Sequence, residues 1–489
     1  MTRAALSACR TTAAEPRESK SGIGTNVASL SVRQVLPQIP TTSVKVSGFR
    51  RTYGDRAALC CLGFVVALAS AAATGRLFAP EHWEYSEIAD NLLQGRGAYC
   101  EFLGTKYYLY GSWLYPRLLA GVLWVTAGSE TIMVVIQGLL LAATSVSIYG
   151  IGRLIFGRAE GVIAGLLFAF HPGGLVYVGK LHSQTLDVLL ITWSVFLLLR
   201  LILEPRWDRG ALAGGIAGLT VISRGTIAPF YAVWVVAIVY AWRRQPRLVV
   251  PVVGWLAVGC VAVMIPVLGD GYARYGRLVP LRSDTGVNLW IGNHEGASGT
   301  SFVTGSDRPA INMQPPALVQ RLAGADEIVQ NDLFSAEAVR FVRRAPGEFA
   351  ALLAKKVWYF WWRSPHLGLL YPQRWTTIYM AYYLVIALAA LAGLLRFSRS
   401  PRVPTLYGVA MFVLIGVSYS VTQALFYIEG RHRWQIEPLL LVFAAPVLLQ
   451  LGRLAGSRMS GPSLQAAFDT LFQRLSLRAP AAQPGGRIS

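Results

Sequence analysis

The chain has 489 residues, 54% of them hydrophobic and 14% charged, with a mean hydropathy of +0.45. This composition excludes an ordinary soluble domain and marks an all-α polytopic membrane protein. Lys+Arg 45 against Asp+Glu 25 give a net charge of +20, but the surplus sits mostly in short loops between apolar runs, so it reads as membrane topology and no nucleic-acid partner is expected.

Residues 1 to about 50 are rich in Ser, Thr, Arg and Ala and lack apolar periodicity, as a disordered segment would. They contain no apolar signal-peptide core, and Glu15 and Glu18 speak against a transit peptide. The expected organisation is a cytoplasmic tail over 1–55, a membrane domain over 56–455 and a second cytoplasmic tail over 456–489. The five cysteines, Cys9, Cys60, Cys61, Cys100 and Cys260, imply neither a disulfide framework nor a CxxC metal site.

The first apolar run, 57–75, leads into an outward loop over 76–129. Its segment EHWEYSEIADNLLQGRG, Glu81 to Gly97, is rich in carboxylates for so basic a chain. Pro80 suits a first helical position. Tyr85, Ile88, Ala89, Leu92 and Leu93 then recur at helical spacing, with Glu84, Glu87, Asn91 and Gln94 on the other side, which predicts an amphipathic helix on the membrane surface. Glu81 stands at the head of the apolar stripe. It reads either as a catalytic carboxylate or as one that merely complements the helix dipole.

Further apolar runs fall at 130–151, 159–172, 185–203, 210–223, 226–242, 248–268, 376–395, 404–424 and 436–452. With Ser112–Ala127 taken as a re-entrant or surface helix and the N-terminus inside, every short inward loop is basic, from Arg153 and Arg158 to Arg453 and Arg458. About ten spans are therefore expected, and an eleventh stays open. In this topology all six histidines, His82, His171, His182, His294, His366 and His432, face outward or lie at the outer boundary, with most of the carboxylates. A long outward loop, 269–375, carries the turn-rich NLWIGNHEGASGT of residues 288–300. Helical periodicity follows on both sides of Pro346, ending in the aromatics Trp358 to Trp362, which read as an interfacial belt.

Several stretches, in their order, resemble the GT-C superfamily of integral-membrane glycosyltransferases, especially the branch of protein O-mannosyltransferases and the aminoarabinose and Rgt-type transferases. These are PEHWEYSEIADNLLQGRGAY, YGSWLYPRLLAGVLWVTAG, GRLIFGRAEGVIAGLLFAFHP, NLWIGNHEGASG and GRHRWQIEPLLL, and the resemblance spans roughly residues 55 to 455. It implies a polyprenyl- or dolichyl-phosphate sugar donor, an acceptor hydroxyl on a lipid, glycan or protein, and an inverting displacement in which a first-loop carboxylate removes the acceptor proton. Matched to the family pattern that carboxylate is Glu81, where relatives carry aspartate; Glu84 is the reserve. Where many relatives have an acid this chain has Gln184, and Asp187, three residues on, could supply the charge. His82, Tyr85, His182, Gln184, Asn293 and His294 are the expected substrate-binding residues.

A lipid-phosphate leaving group needs cations, and arginine grips phosphate bidentately. Arg224 interrupts an apolar hairpin on the outward side, and Arg431 and Arg433 also run against the positive-inside trend, so these three are expected to hold the donor phosphate, with Lys106 and Arg117 as further candidates. No cofactor is expected. A divalent ion stays open, because Glu81, His82, Glu84, His182 and His432 are suitable residue types but show no dedicated ligand spacing. A flippase of lipid-linked sugars and an inactive relative are the alternatives; a transporter more often shows inverted repeats, and none is visible. The Ala/Gly/Arg-rich composition points to a bacterial cytoplasmic membrane with the site facing the periplasm.

Overall fold

The structure, a computed structural model, describes residues 49–279, 281–366 and 373–458. The expected disorder of residues 1–48, the tail beyond 458, Cys9 and loop positions 280 and 367–372 lie outside the described residues.

The chain is an all-α multi-pass membrane protein. Among the described residues seven helices are long and apolar enough to cross a membrane: Thr52–Ala73, Glu130–Ile155, Gln184–Leu203, Pro246–Tyr275, Arg374–Phe397, Val403–Ala424 and Glu437–Ala455. The other three expected spans form the helices Arg158–Ala169, Trp207–Ser223 and Ala228–Ala241, of 12, 17 and 14 residues. Each is shorter than the roughly 20 residues a straight span needs. The cause is local. Pro172 opens a new short helix after His171, and Arg224 takes an extended conformation (φ −140°, ψ 86°) that breaks the hairpin in two. Ser112–Ala127 contains the 12-residue helix Leu114–Val125, in keeping with a non-spanning segment.

Helix Trp207–Ser223 packs backbone to backbone on Pro246–Tyr275 through a stripe of small residues. A methyl group on Gly210, Gly214 or Gly218 would come within 2.6, 1.9 and 2.8 Å of the carbonyl oxygens of Val252, Leu256 and Cys260. Small residues four apart allow this approach where no hydrophobic drive separates helix from lipid. Arg224 follows directly at the C-terminal end of the first of these two helices.

In the loop after the first span the amphipathic helix is Glu84–Leu93, with Tyr85, Ile88 and Ala89 buried. It begins four residues later than Pro80 suggested. The reason is a strand-like bridge: Glu81 N–H donates to Gly179 O and Leu181 N–H to Glu81 O, both at 2.9 Å, so Glu81 is extended rather than helical. A hairpin follows, Cys100–Phe102 with Thr105–Tyr107, antiparallel, with Glu101 opposite Lys106. The buried Glu327 carboxylate ties this hairpin to the long loop, accepting from Tyr108 N (3.0 Å), Leu109 N (3.1 Å), Ser283 Oγ and Tyr275 OH. The helices expected around Pro346 are Glu327–Arg344 and Pro346–Trp361.

Candidate active site

These elements enclose, at one end of the helices, a cavity of about 470 Å³. Its walls are supplied by Glu84 and Tyr85 of the first-loop helix, Tyr110 and Gly111 before Leu114–Val125, and His182 and Gln184 at the start of Gln184–Leu203. Arg224 and Thr226 come from the broken hairpin, Arg282, Asp284 and Asn288 from the long loop, and Gln423, Tyr427, Arg431 and His432 from the last loop. Gly111 is required here. Its φ is +60°, and a Cβ would meet the Tyr85 ring at 3.0 Å.

Arginines from three separate elements face this space, each backed by its own carboxylate. Arg282 grips Asp284 with two bonds of 2.9 and 2.6 Å, Arg431 Nε lies 2.6 Å from Glu429, and Arg224 Nη1 lies 3.9 Å from Asp187. Asp187 is fully buried and also accepts from Ser183 Oγ (2.9 Å) and Ser223 Oγ (2.6 Å), so it stands behind Arg224 rather than in the cavity wall. Arg224 Nε, Arg431 Nη1 and Gln184 Nε2 are buried atoms without a hydrogen-bond partner among the described residues. Three unpaired donors around one void describe a place for an acceptor-rich, anionic group.

Glu84 makes no ion pair among the described residues. Burial raises its carboxyl above the usual range, an effect that Arg431 opposes. Burial, then Arg431, Arg224 and Lys180, holds His182 well below the ordinary imidazole value, and burial with Arg224 and Arg431 does the same to His432. Both rings are therefore neutral beside the arginines. Burial also pushes the Tyr85 and Tyr110 hydroxyls up, so they act as neutral donors.

The structure thus brings Glu84, Tyr85, His182, Gln184, Arg224 and Arg431 together around one cavity. It places the other candidates elsewhere. Glu81 is bound to Lys180 Nζ at 2.5 Å and to Trp83 Nε1 at 3.1 Å, with Arg76 at 3.6 Å. His82 is exposed and lies 2.9 Å from Glu130. Lys106 sits 4.5 Å over the Tyr99 ring, and Arg117 covers Trp113 and pairs with Asp270 at 3.0 Å. Asn293 is a buried joint, donating to Leu289 O and Leu425 O while accepting from Lys356, and His294 stacks on Trp290. Arg433 belongs to a closed network. It donates to Glu437 (3.1 Å), to Phe360 O and Trp362 O (both 2.9 Å) and to Tyr379 OH (2.8 Å), while Glu437 also meets His171 Nε2 at 3.0 Å.

Arg282 is the main residue that sequence reasoning missed. It lies in the long loop over 269–375, where polar residues are ordinary, and so carried no signal like that of Arg224, which interrupts an apolar hairpin. Among the described residues no cluster of three or more His, Cys, Asp or Glu is arranged to hold a metal ion.

Residues 112–269 match the family model described as dolichyl-phosphate-mannose-protein mannosyltransferase. This bears out the GT-C resemblance read in the sequence, and the matched stretch carries His182, Gln184, Asp187 and Arg224. Among solved structures the chain is similar to the archaeal oligosaccharyltransferase AglB from Archaeoglobus fulgidus in complex with an inhibitory peptide and a dolichol-phosphate, at 13% identity and a TM-score of 0.41, over 86% of this chain and 54% of that one. It is also similar to ArnT from Cupriavidus metallidurans bound to undecaprenyl phosphate, at 12% identity and a TM-score of 0.35, over 80% of this chain and 77% of that one. The chain spans about half the length of the archaeal enzyme. No curated protein matches it.

Proposed function

We propose that this cavity is the donor site of an inverting membrane glycosyltransferase that uses a polyprenyl-phosphate sugar, with Glu84 as general base. The observation that carries the reading is the convergence of Arg224, Arg282 and Arg431, two of them with a donor atom unpaired among the described residues, beside a carboxylate with no ion pair among them. The arginines bind the phosphate of the donor. An acceptor hydroxyl, on a lipid, glycan or protein, gives its proton to Glu84 as its oxygen bonds to the anomeric carbon from the face opposite the phosphate. The bond from that carbon to the phosphate oxygen breaks, its electron pair stays on the oxygen, and lipid phosphate leaves with its charge met by the arginines. Asp187 positions Arg224 from behind. The sugar is a hexose or pentose, and the composition supports a bacterial cytoplasmic membrane with the cavity facing the periplasm.

Glu84 takes the base role over Glu81 for a chemical reason. Glu81 is already engaged by Lys180 at 2.5 Å, whereas burial raises the Glu84 carboxyl at the cavity, so that it accepts a proton more readily. The test is binding of undecaprenyl phosphate to the protein in lipid nanodiscs. The wild type should bind, and Arg282→Ala should bind about 10–100-fold more weakly, the worth of one charge-assisted contact. Equal binding by both would remove the donor assignment.

A further inference from the structure

The histidines at the cavity share a feature that the arginines do not explain. The Nδ1 of His182 accepts the backbone N–H of Gln184 at 3.1 Å, and the Nδ1 of His432 accepts that of Glu429 at 3.4 Å. A neutral ring whose Nδ1 is an acceptor must carry its proton on Nε2. The tautomer is therefore fixed by main chain two or three residues away in sequence, and each ring has one N–H to give. His171, outside the cavity, shows where such an N–H goes. Its Nδ1 accepts from Gly174 N at 3.1 Å, and its Nε2 meets the Glu437 carboxylate at 3.0 Å. His182 Nε2 has no equivalent partner among the described residues, and His432 Nε2 lies 3.9 Å from Glu429, beyond a hydrogen bond.

The His182 ring is held by aromatic edges of Trp83, Tyr85 and Tyr177, with centroids 5.1–5.4 Å away, so it is oriented although one nitrogen is unpaired. The charged and titratable groups around the two rings are Lys180, Arg224, Arg431, Glu429 and Tyr427 together with Glu84 and Tyr85 of the first-loop helix. The nearest cations oppose a further positive charge. An unpaired N–H in a wall lined by arginines is suited to an anionic oxygen.

We infer that His182, with His432 beside it, is a neutral hydrogen-bond donor through Nε2–H to the phosphate oxygens of the lipid donor, and that neither ring serves as the acid or the base of the reaction. This rests on the donor assignment above. It makes the histidines part of the leaving-group site: they stabilise the departing phosphate without taking or losing a proton, and the acceptor's proton is left to Glu84. A neutral donor also avoids adding a fourth cation to three arginines, which would bind the released lipid phosphate more tightly and slow its departure.

The test uses the full chain in lipid nanodiscs with undecaprenyl phosphate as the probe, at pH 7.5. His182→Ala should weaken binding about three- to tenfold, the worth of one hydrogen bond, while His182→Gln, whose amide also donates, should recover most of that loss. Unfolding midpoints of both variants check that the fold is kept. In parallel, nitrogen NMR of histidine-labelled protein, assigned by the signal lost in His182→Gln, should show an Nε2–H neutral ring from pH 8 to 5.5, with and without the probe. A doubly protonated His182 on binding, or His182→Gln as weak as His182→Ala, overturns the inference. So does unchanged binding in His182→Ala. Failure of the wild type to bind the probe at all would instead bring down the donor assignment itself.

Discussion

Two arginines with a single residue between them in the last loop, Arg431 and Arg433, have opposite surroundings. Arg433 is buried with Nε, Nη1 and Nη2 all engaged, by Glu437, two main-chain oxygens and Tyr379 OH. Arg431 meets one carboxylate, and its Nη1, at a cavity wall, has no hydrogen-bond partner among the described residues. The short 3₁₀ turn Gly430–Gln435, with about three residues per turn, presents Arg431 and His432 to the cavity and turns Arg433 away from it. A saturated arginine stabilises the protein, and an unsaturated one is available to a ligand. The first loop repeats the contrast in carboxylates, with Glu81 locked to Lys180 and Glu84 at the cavity without an ion pair among the described residues.

Substitutions break this comparison in graded ways. Glu84→Gln should cost the most, about 10²–10⁴-fold in sugar transfer with donor binding kept, which single-turnover transfer assays would read. Arg433→Ala should cost about 3–5 kcal/mol of stability by leaving Glu437 and Tyr379 without their cation, seen as a lowered unfolding midpoint. Arg431→Ala also takes the cation from a buried carboxylate, Glu429, but one that keeps Ser301 as a partner, so it should cost less stability than Arg433→Ala while lowering affinity for undecaprenyl phosphate about 10–100-fold.

A smaller effect sharpens the contrast through pH. Burial raises the Glu84 carboxyl above its usual value of 4.5. The base must be ionised, so transfer should be full above the raised value and fall as pH drops through it. The acid limb of the rate profile should therefore lie above pH 4.5 and show no separate step from His182 or His432, which burial keeps neutral. A limb at the ordinary carboxylate value would place the base at a solvated group.

Much of this arrangement was legible in the sequence, and the limits have physical causes. The helix after Trp83, the non-spanning Leu114–Val125 and the break at Pro346 follow from periodicity and proline. Arg224 and Arg431 stood out because an outward arginine at a membrane boundary needs a partner. Glu81 and Glu84 could not be ranked from the same pattern, because the lysine that captures Glu81 is 99 residues away and meets it through a main-chain bridge. Arg433 carried the same signal as Arg431, and only the fold reveals Tyr379 and the carbonyls of Phe360 and Trp362 around it. Arg282 was hidden by its long loop, where polar residues are ordinary, and tertiary packing alone brings it to Arg224.

The most direct measurement is sugar transfer from a labelled polyprenyl-phosphate sugar by Glu81→Gln and Glu84→Gln, side by side in nanodiscs at matched protein levels. The account predicts that Glu84→Gln loses transfer while still binding undecaprenyl phosphate, and that Glu81→Gln keeps it within a few-fold, about 1 kcal/mol of barrier. Loss in Glu81→Gln with full transfer in Glu84→Gln would contradict it.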